Sequence, residues 1–188
     1  MIKTFRTILI DPPWPERGGG KIKRGADRHY RLLGPRRILD VVQDSGLFRP
    51  ARDAHLYIWS TNNYLPKALW LIERLGFAYK TTIVWAKPRF GLGQYFRGQT
   101  ELLLFAVRGR GIAVRRRTPG KDLTTLVAAD HVCDDRRKIF HSAKPDGFHR
   151  MIERQSPTPR LEMFARRCRR GWVAWGDQVG LLRSEVRS

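Results

Sequence analysis

Four consecutive residues, Asp11, Pro12, Pro13 and Trp14, close an apolar run and combine groups that could activate an amine. The prolines fix the backbone and lack N–H donors, so they offer carbonyls that only accept hydrogen bonds. Asp11 adds an ionised acceptor, and Trp14 supplies a π-face on which a base can stack. This combination suits the capture of a flat base by its exocyclic amine. The same residues also make good turns, so the motif alone proves no activity.

The charge balance of the chain indicates a polyanionic partner. The 188 residues include 37 Lys+Arg against 17 Asp+Glu, a formal net charge of +20. A field of this sign attracts polyanions, which makes nucleic acid the first candidate partner and an anionic membrane surface the second. An excess of arginine suits contacts with phosphates and bases, although it also follows from genome composition.

Length and hydropathy predict a single domain over residues 1–188. No apolar run is long enough to cross a bilayer, and the amino terminus lacks the apolar core of a signal peptide, so we expect a cytoplasmic protein without a membrane anchor. The two cysteines, Cys133 and Cys168, form no CxxC pair, and the histidines show no metal-ligand spacing. We therefore assign no disulfide and no metal.

Short, nearly continuous apolar runs alternate with helical patterns along the chain. Continuous apolarity is typical of strands buried on both faces, and the alternation with helices predicts an α/β domain with a mainly parallel sheet. Helices are predicted from Pro35 to about Ser45, over Leu65–Leu75, and around Phe148–Ile152. The predicted strands are Thr7–Ile10, Leu56–Trp59, Thr82–Trp85, Leu102–Val107, Leu161–Phe164 and Trp172–Trp175.

Two basic segments, at about 15–31 and 88–100, each follow a predicted strand directly. They should overhang the carboxyl edge of the sheet, where open α/β folds bind their ligands. Both contain glycines and basic residues, and the second adds aromatic residues, a composition that suits gripping a nucleic-acid backbone. A solvated, flexible loop has the same composition, so both interpretations stay open.

Polar residues at the ends of later elements suggest a second binding region. Lys144, beside Ser142, stands just before a predicted helix, where a cation can hold a carboxylate or phosphate; a solvated lysine is the alternative. Glu162 and Asp177 belong to two short strands and suit ribose hydroxyls, or else balance nearby arginines. The Gly-Leu-Gly of 91–93 does not extend to GxGxxG, so a Rossmann NAD(P) fingerprint is excluded.

Taken in order, these pieces resemble the DPPW-type adenine-N6 methyltransferases, the family of the catalytic subunit of the mRNA m6A writer and its phage and bacterial relatives. The resemblance covers almost the whole chain, and the order is more specific than any one motif. The matching segments are, in order, Asp11–Trp14, Ile83–Lys87, Gly93–Arg97 leading to Glu101, Ser142–Pro145, Met151–Arg154, Glu162–Arg166 and the Gly-Trp…Trp-Gly of 171–176.

The resemblance implies a Rossmann-like class I fold with permuted motif order, S-adenosylmethionine as cofactor, and methyl transfer to adenine N6. Asp11 and the Pro12 carbonyl would accept hydrogen bonds from the adenine amine, with Pro13 and Trp14 completing the catalytic motif. Lys144 would hold the cofactor's methionine carboxylate. The cofactor-binding residues it implies are Ser142, Lys144, Glu162, Phe164, Arg166, Asp177 and Gln178. The substrate-binding residues it implies are Tyr30, Lys87, Tyr95, Arg97 and Glu101.

The chain departs from the family pattern near the expected cofactor. Ala143 stands where the writer has a histidine, Asp177 replaces an asparagine, and Cys168-Arg169 replaces a His-Asn pair. Few residues precede the first strand, so we expect Leu126–Asp130 to supply the clamp for the cofactor's adenine that family members often take from an upstream strand.

Several functions stay open at this level. We expect DNA rather than RNA as the substrate, by analogy with compact, basic prokaryotic or phage enzymes. The alternatives are RNA adenine-N6 methylation, cytosine-N4 methylation, a non-catalytic nucleic-acid-binding subunit, and a basic packaging or scaffold protein. The intact Asp11–Trp14 motif argues against the last two. No separate target-recognition domain is visible, which leaves a partner subunit or a homodimer open.

Overall fold

The fold is known from a computed structural model, which describes residues 3–16, 32–91, 95–110, 124–130, 143–177 and 179–183. Every predicted strand and helix is present, although Phe164, predicted as a strand end, lies one residue beyond its strand. The strands are β1 (Phe5–Ile10), β2 (Pro50–Ser60), β3 (Ala78–Ala86), β4 (Thr100–Arg108), β5 (Leu126–Ala128), β6 (Arg160–Met163), β7 (Trp172–Gly176) and β8 (Gly180–Arg183). The helices are α1 (Pro35–Asp44), α2 (Leu65–Arg74), preceded by a 3-10 turn at Asn62–Tyr64, and α3 (Asp146–Gln155).

The strands form one eight-stranded sheet in the order β5-β3-β4-β2-β1-β6-β7-β8. Strand β1 lies parallel to β2 and β6, β6 is parallel to β7, and β3 is parallel to β5. Strand β4 is antiparallel to both neighbours because it follows β3 without an intervening helix, and β8 is antiparallel to β7. The start of β4 therefore lies at the edge where β1, β2 and β3 end.

Helices cover both faces of the sheet and explain why the strands are continuously apolar. Helices α1 and α2 pack on one face, and α3 packs on the other. Along β2, Leu56 and Ile58 face the first two helices, whereas Tyr57 and Trp59 face α3. Burial on both faces removes the alternation that a half-exposed strand would show. No helix among the described residues is long and apolar enough to cross a membrane.

Gly176, at the end of β7, lies against the turn that follows β6. A Cβ atom on Gly176 would lie 2.5 Å from the carbonyl oxygen of Ala165 and 2.7 Å from its nitrogen. That turn contains Phe164 at φ 60°, a left-handed conformation that bulky residues rarely adopt. The Ala165 N–H donates to the Trp175 carbonyl at 2.9 Å. The close backbone approach thus requires glycine at position 176.

Gly176→Ala is expected to lower the free energy of unfolding by about 1–3 kcal/mol, because the new methyl group collides with backbone rather than with a movable side chain. Urea denaturation measures the loss. Gly34→Ala is the matched control, because Gly34 has an ordinary φ of −66° and nothing lies within 4 Å of the added Cβ. Equal losses in the two variants would contradict this account.

Candidate active site

Four charged side chains meet at the carboxyl edge of the sheet, and we call them the ion network: Asp11, Lys87, Glu101 and Lys144. The Lys144 Nζ lies 2.9 and 3.0 Å from the two carboxylate oxygens of Asp11, and 3.4 Å from Glu101 Oε2. The Lys87 Nζ contacts Glu101 Oε1 at 2.5 Å. Asp11 follows β1, Lys87 follows β3, and Lys144 precedes α3. Glu101 belongs to β4 and reaches this edge because β4 runs antiparallel.

Lys144 and Glu101, the two most buried members of the ion network, keep their charges. The side chains of Lys144 and Glu101 are 10% and 12% exposed. Burial opposes the charge on Glu101, but Lys144 and Lys87 outweigh it and lower the pKa of that carboxyl. Burial likewise opposes the charge on Lys144, but Asp11 and Glu101 outweigh it and raise the pKa of the amine. Both groups are therefore charged at neutral pH.

Backbone hydrogen bonds hold the turn that carries Asp11. The Asp11 N–H donates to the Met163 carbonyl at the end of β6, at 3.3 Å. The Trp14 N–H donates to the Pro12 carbonyl at 2.8 Å, and the Leu33 N–H donates to the Pro13 carbonyl at 2.9 Å. A carbonyl oxygen has two lone pairs, so the Pro12 oxygen can accept a second hydrogen bond.

Trp14 lies in the core, and the expectation that it presents an open π-face is wrong for this structure. Its side chain is 6% exposed, and its Nε1–H donates to the Trp59 carbonyl at 2.8 Å. One face of the indole stacks on Tyr64, with ring centroids 5.4 Å apart and planes 17° apart. The sequence could not show which way the ring turns, because its neighbours come from the end of β2, some 45 residues away. Trp14 anchors the turn.

The segment after β2 contributes contacts that the sequence analysis missed. The Thr61 hydroxyl and the Asn63 amide donate to the Glu16 carboxylate, and the Tyr64 hydroxyl donates to the Pro15 carbonyl at 2.9 Å. A signal was available, because a polar stretch directly after β2 must lie beside the end of the parallel strand β1.

The residues expected around the cofactor lie in several different places. Arg166 lies close enough to Lys144 to oppose its positive charge, and Asp177 is exposed just after β7. Phe164 occupies its left-handed turn and packs edge-on against Trp175. Glu162 lies within β6, and its carboxylate is 3.1 Å from His149 Nε2 on α3, a placement that argues against a ribose contact. Ser142 and Gln178, like Tyr30 on the substrate side, lie outside the described residues.

Tyr95 and Arg97, the two loop residues expected to touch substrate, have no contact with the ion network among the described residues. Tyr95 is 95% exposed, and the guanidinium of Arg97 lies 5.0 Å from the ring centroid of Phe90. On the far side of β3, strand β5 falls in the segment proposed as the adenine clamp, and the Ala129 carbonyl accepts from Trp85 Nε1 at 2.8 Å.

The lowered pKa of Glu101 predicts a pH-dependent stability. A carboxyl whose pKa is lower in the folded state contributes stability above its ordinary value of 4.5, and this is lost as the pH falls through the folded-state value. Glu101→Gln is expected to lower the free energy of unfolding by about 2 kcal/mol at pH 7. The fall of that free energy below about pH 4.5 should be shallower in the variant than in the wild type. Urea denaturation between pH 3 and 7 tests this, with Glu73→Gln, an exposed position on α2, as control. Parallel curves for Glu101→Gln and the wild type would contradict it.

Comparison with known proteins confirms the resemblance inferred from the motif order. The model of the MT-A70 family matches residues 5–178. The chain is 26% identical to the type II methyltransferase M.MunI of Mycoplasma sp, over 94% of this chain and 78% of that protein. It is 28% identical to the N6-methyladenosine RNA methyltransferase MTA1 of Cryphonectria parasitica, and 26% identical to the N(6)-adenosine-methyltransferase subunit METTL3 of Danio rerio. These two matches include 93% and 97% of this chain, but only 52% of the length of MTA1 and 30% of the length of METTL3. With a family model matched over nearly its whole length, the chain belongs to the MT-A70 family.

Proposed function

We propose that this chain transfers a methyl group from S-adenosylmethionine to the N6 amine of adenine in nucleic acid. The observation that carries the proposal is the position of Asp11, ion-paired through both oxygens to Lys144 at the carboxyl edge of an MT-A70 domain. Two of its relatives are named as methyltransferases acting at N6 of adenosine, which supports the choice of atom. The net charge of +20 supports a polyanionic substrate.

Asp11 and Pro12 suit the chemistry of this amine. The N6 lone pair is delocalised into the adenine ring, so the amine is a poor nucleophile. The Asp11 carboxylate and the free lone pair of the Pro12 carbonyl would each accept one N6 hydrogen. Acceptors in these positions favour a pyramidal nitrogen and stabilise the positive charge that develops as the C–N bond forms. Water removes the proton after transfer, so Asp11 need not keep it.

Lys144 orients Asp11 and links it to the cofactor side. Its amine contacts both oxygens of Asp11, which holds the carboxylate in one orientation. Lys144 and the nearby Arg166 are cations suited to a carboxylate, and the exposed Asp177 offers an acceptor suited to ribose hydroxyls. These residues fit S-adenosylmethionine, which when bound supplies an activated methyl group on its sulfonium.

We propose DNA as the substrate. The similarity to the type II methyltransferase M.MunI, which extends over 94% of this chain and 78% of that protein, supports this choice by analogy. Because the target atom is stacked and paired inside a duplex, the adenine must be flipped out or presented in a single strand.

Asp11→Ala is expected to lower kcat for methyl transfer at least about 100-fold, since one of the two acceptors for the developing charge is lost. Activity is measured on matched single-stranded DNA, duplex DNA and RNA, with products digested to nucleosides and identified by mass. Asp44→Asn, at an exposed position in the last turn of α1, is the control and should keep full activity.

The product decides between the alternatives. N6-methyladenine in one pool establishes the reaction and its substrate together, whereas N4-methylcytosine would replace the proposal with the cytosine alternative. A wild-type protein that binds nucleic acid but gives no product in any pool would support the binding-subunit alternative. Retention of most activity by Asp11→Ala would refute the mechanism.

A further inference from the structure

A cavity of about 610 Å³ lies between the first turns of α1 and α2. Its walls combine cationic side chains with apolar ones. The wall residues used in the argument below are Pro35, Arg36, Arg37, Pro66, Lys67 and Trp70. No carboxylate lines the cavity, and within the described ranges none lies within ion-pair distance of its three cations. Among the described residues, the cavity therefore places three cationic side chains that have no carboxylate partner beside an indole.

The two helices that form the cavity add to this positive potential. Neither α1 nor α2 has a side-chain cap at its amino end, and neither has an acidic residue in its first turn. Pro35 and Pro66 have no N–H group, and the Leu65 N–H donates to the Asn62 carbonyl, so these ends contribute mainly the positive ends of two helix dipoles. Together with Arg36, Arg37 and Lys67, they favour an anionic group such as a phosphate.

Trp70 gives the cavity an aromatic wall. Its ring packs on the core beneath α2, and the Arg74 guanidinium lies 5.8 Å from the ring centroid. A half-buried indole held in this way is a stiff surface, and stacking of a base on such a surface is tolerant of base identity. A phosphate site next to a stacking surface has the chemistry of one nucleotide.

Both walls of the cavity are tied directly to the turn that carries Asp11. On the α1 side, Leu33, two residues before Pro35, donates its N–H to the Pro13 carbonyl. On the α2 side, Tyr64, two residues before Pro66, stacks on Trp14 and donates its hydroxyl to the Pro15 carbonyl. Consecutive Cα atoms are about 3.8 Å apart, and stacked nucleotides of one strand about 3.4 Å. The path from Asp11 to Pro35 through this hydrogen bond is therefore at most about 22 Å, the length of six or seven stacked nucleotides, so one strand can reach both places.

We propose that this cavity binds a nucleotide flanking the target adenine, with its phosphate at Arg36, Arg37 and Lys67 and its base against Trp70. The proposal rests on the proposed function for the identity of the target, and it adds a subsite on the α1–α2 face. That face is opposite to α3, which Lys144 precedes. The subsite would position the strand without reading its sequence.

The first test is direct binding of a fluorescently labelled 12-nucleotide single strand, measured by anisotropy over a salt series. Arg36→Glu/Arg37→Glu is expected to weaken binding at least about tenfold and to reduce the slope of log K against log salt by about 0.7, the value for one lost phosphate contact on a single strand. Arg6→Glu/Arg154→Glu makes the same change in net charge at exposed positions outside the cavity and should bind within about twofold of wild type. Equal weakening in the two double variants would overturn the subsite.

The stacking part has its own test. Trp70→Ala is expected to weaken binding about tenfold, and Trp70→Phe to restore most of it, because phenylalanine keeps a π-face. On a strand whose nucleotides beside the adenine are abasic, the loss from Trp70→Ala should disappear. A loss that persists on the abasic strand would overturn the stacking role, and the arginine variants remain a test if Trp70→Ala does not fold.

These binding experiments separate failure of the subsite from failure of the proposed function, because they need no methyl transfer. If the wild type methylates adenine and the cavity variants bind like the control, the subsite is wrong and the function stands. If the wild type produces no methylated base but the cavity variants still weaken binding selectively, the function is wrong and the subsite stands.

Discussion

A buried lysine between two carboxylates is the interaction on which the carboxyl edge of this sheet depends. Lys144 contacts Asp11 and Glu101, and through Glu101 the pairing extends to Lys87. Burying these charges is costly, and removing one partner from such a group leaves another uncompensated. The arrangement therefore connects the end of β1, the hairpin of β3 and β4, and the entry to α3, and it fixes the orientation of the Asp11 carboxylate.

The reversal of β4 makes this network possible. In a fully parallel sheet, the residue that begins a strand lies at the amino edge, far from the residues that end its neighbours. Strand β4 instead runs back antiparallel to β3, so Glu101, near the start of β4, lies at the edge where β1 and β3 end. Tyr95, which precedes β4 in the connection from β3, is exposed.

The turn of Asp11–Trp14 has two sides with different tasks. Asp11 is joined to Lys144 and to the end of β6, the side on which we propose that the cofactor binds. Trp14 is buried on the other side, where Tyr64 and the Trp59 carbonyl hold it. Because the amino ends of α1 and α2 are attached to this second side, the basic cavity between them keeps a set position relative to Asp11. The proposed reaction and the proposed strand subsite thus share one turn.

The sequence by itself determined the local properties of this protein. Continuous apolar runs showed which segments are buried strands, apolar faces and glycines showed the helices, and the order of motifs identified the family. Only the tertiary structure decided how these pieces meet: the direction of β4, the pairing of Glu101 with Lys144, the buried side of Trp14, and the contact of Glu162 with His149. Local propensity reflects interactions within a few residues, whereas these contacts join residues between 13 and 45 positions apart, and so depend on which strand lies beside which.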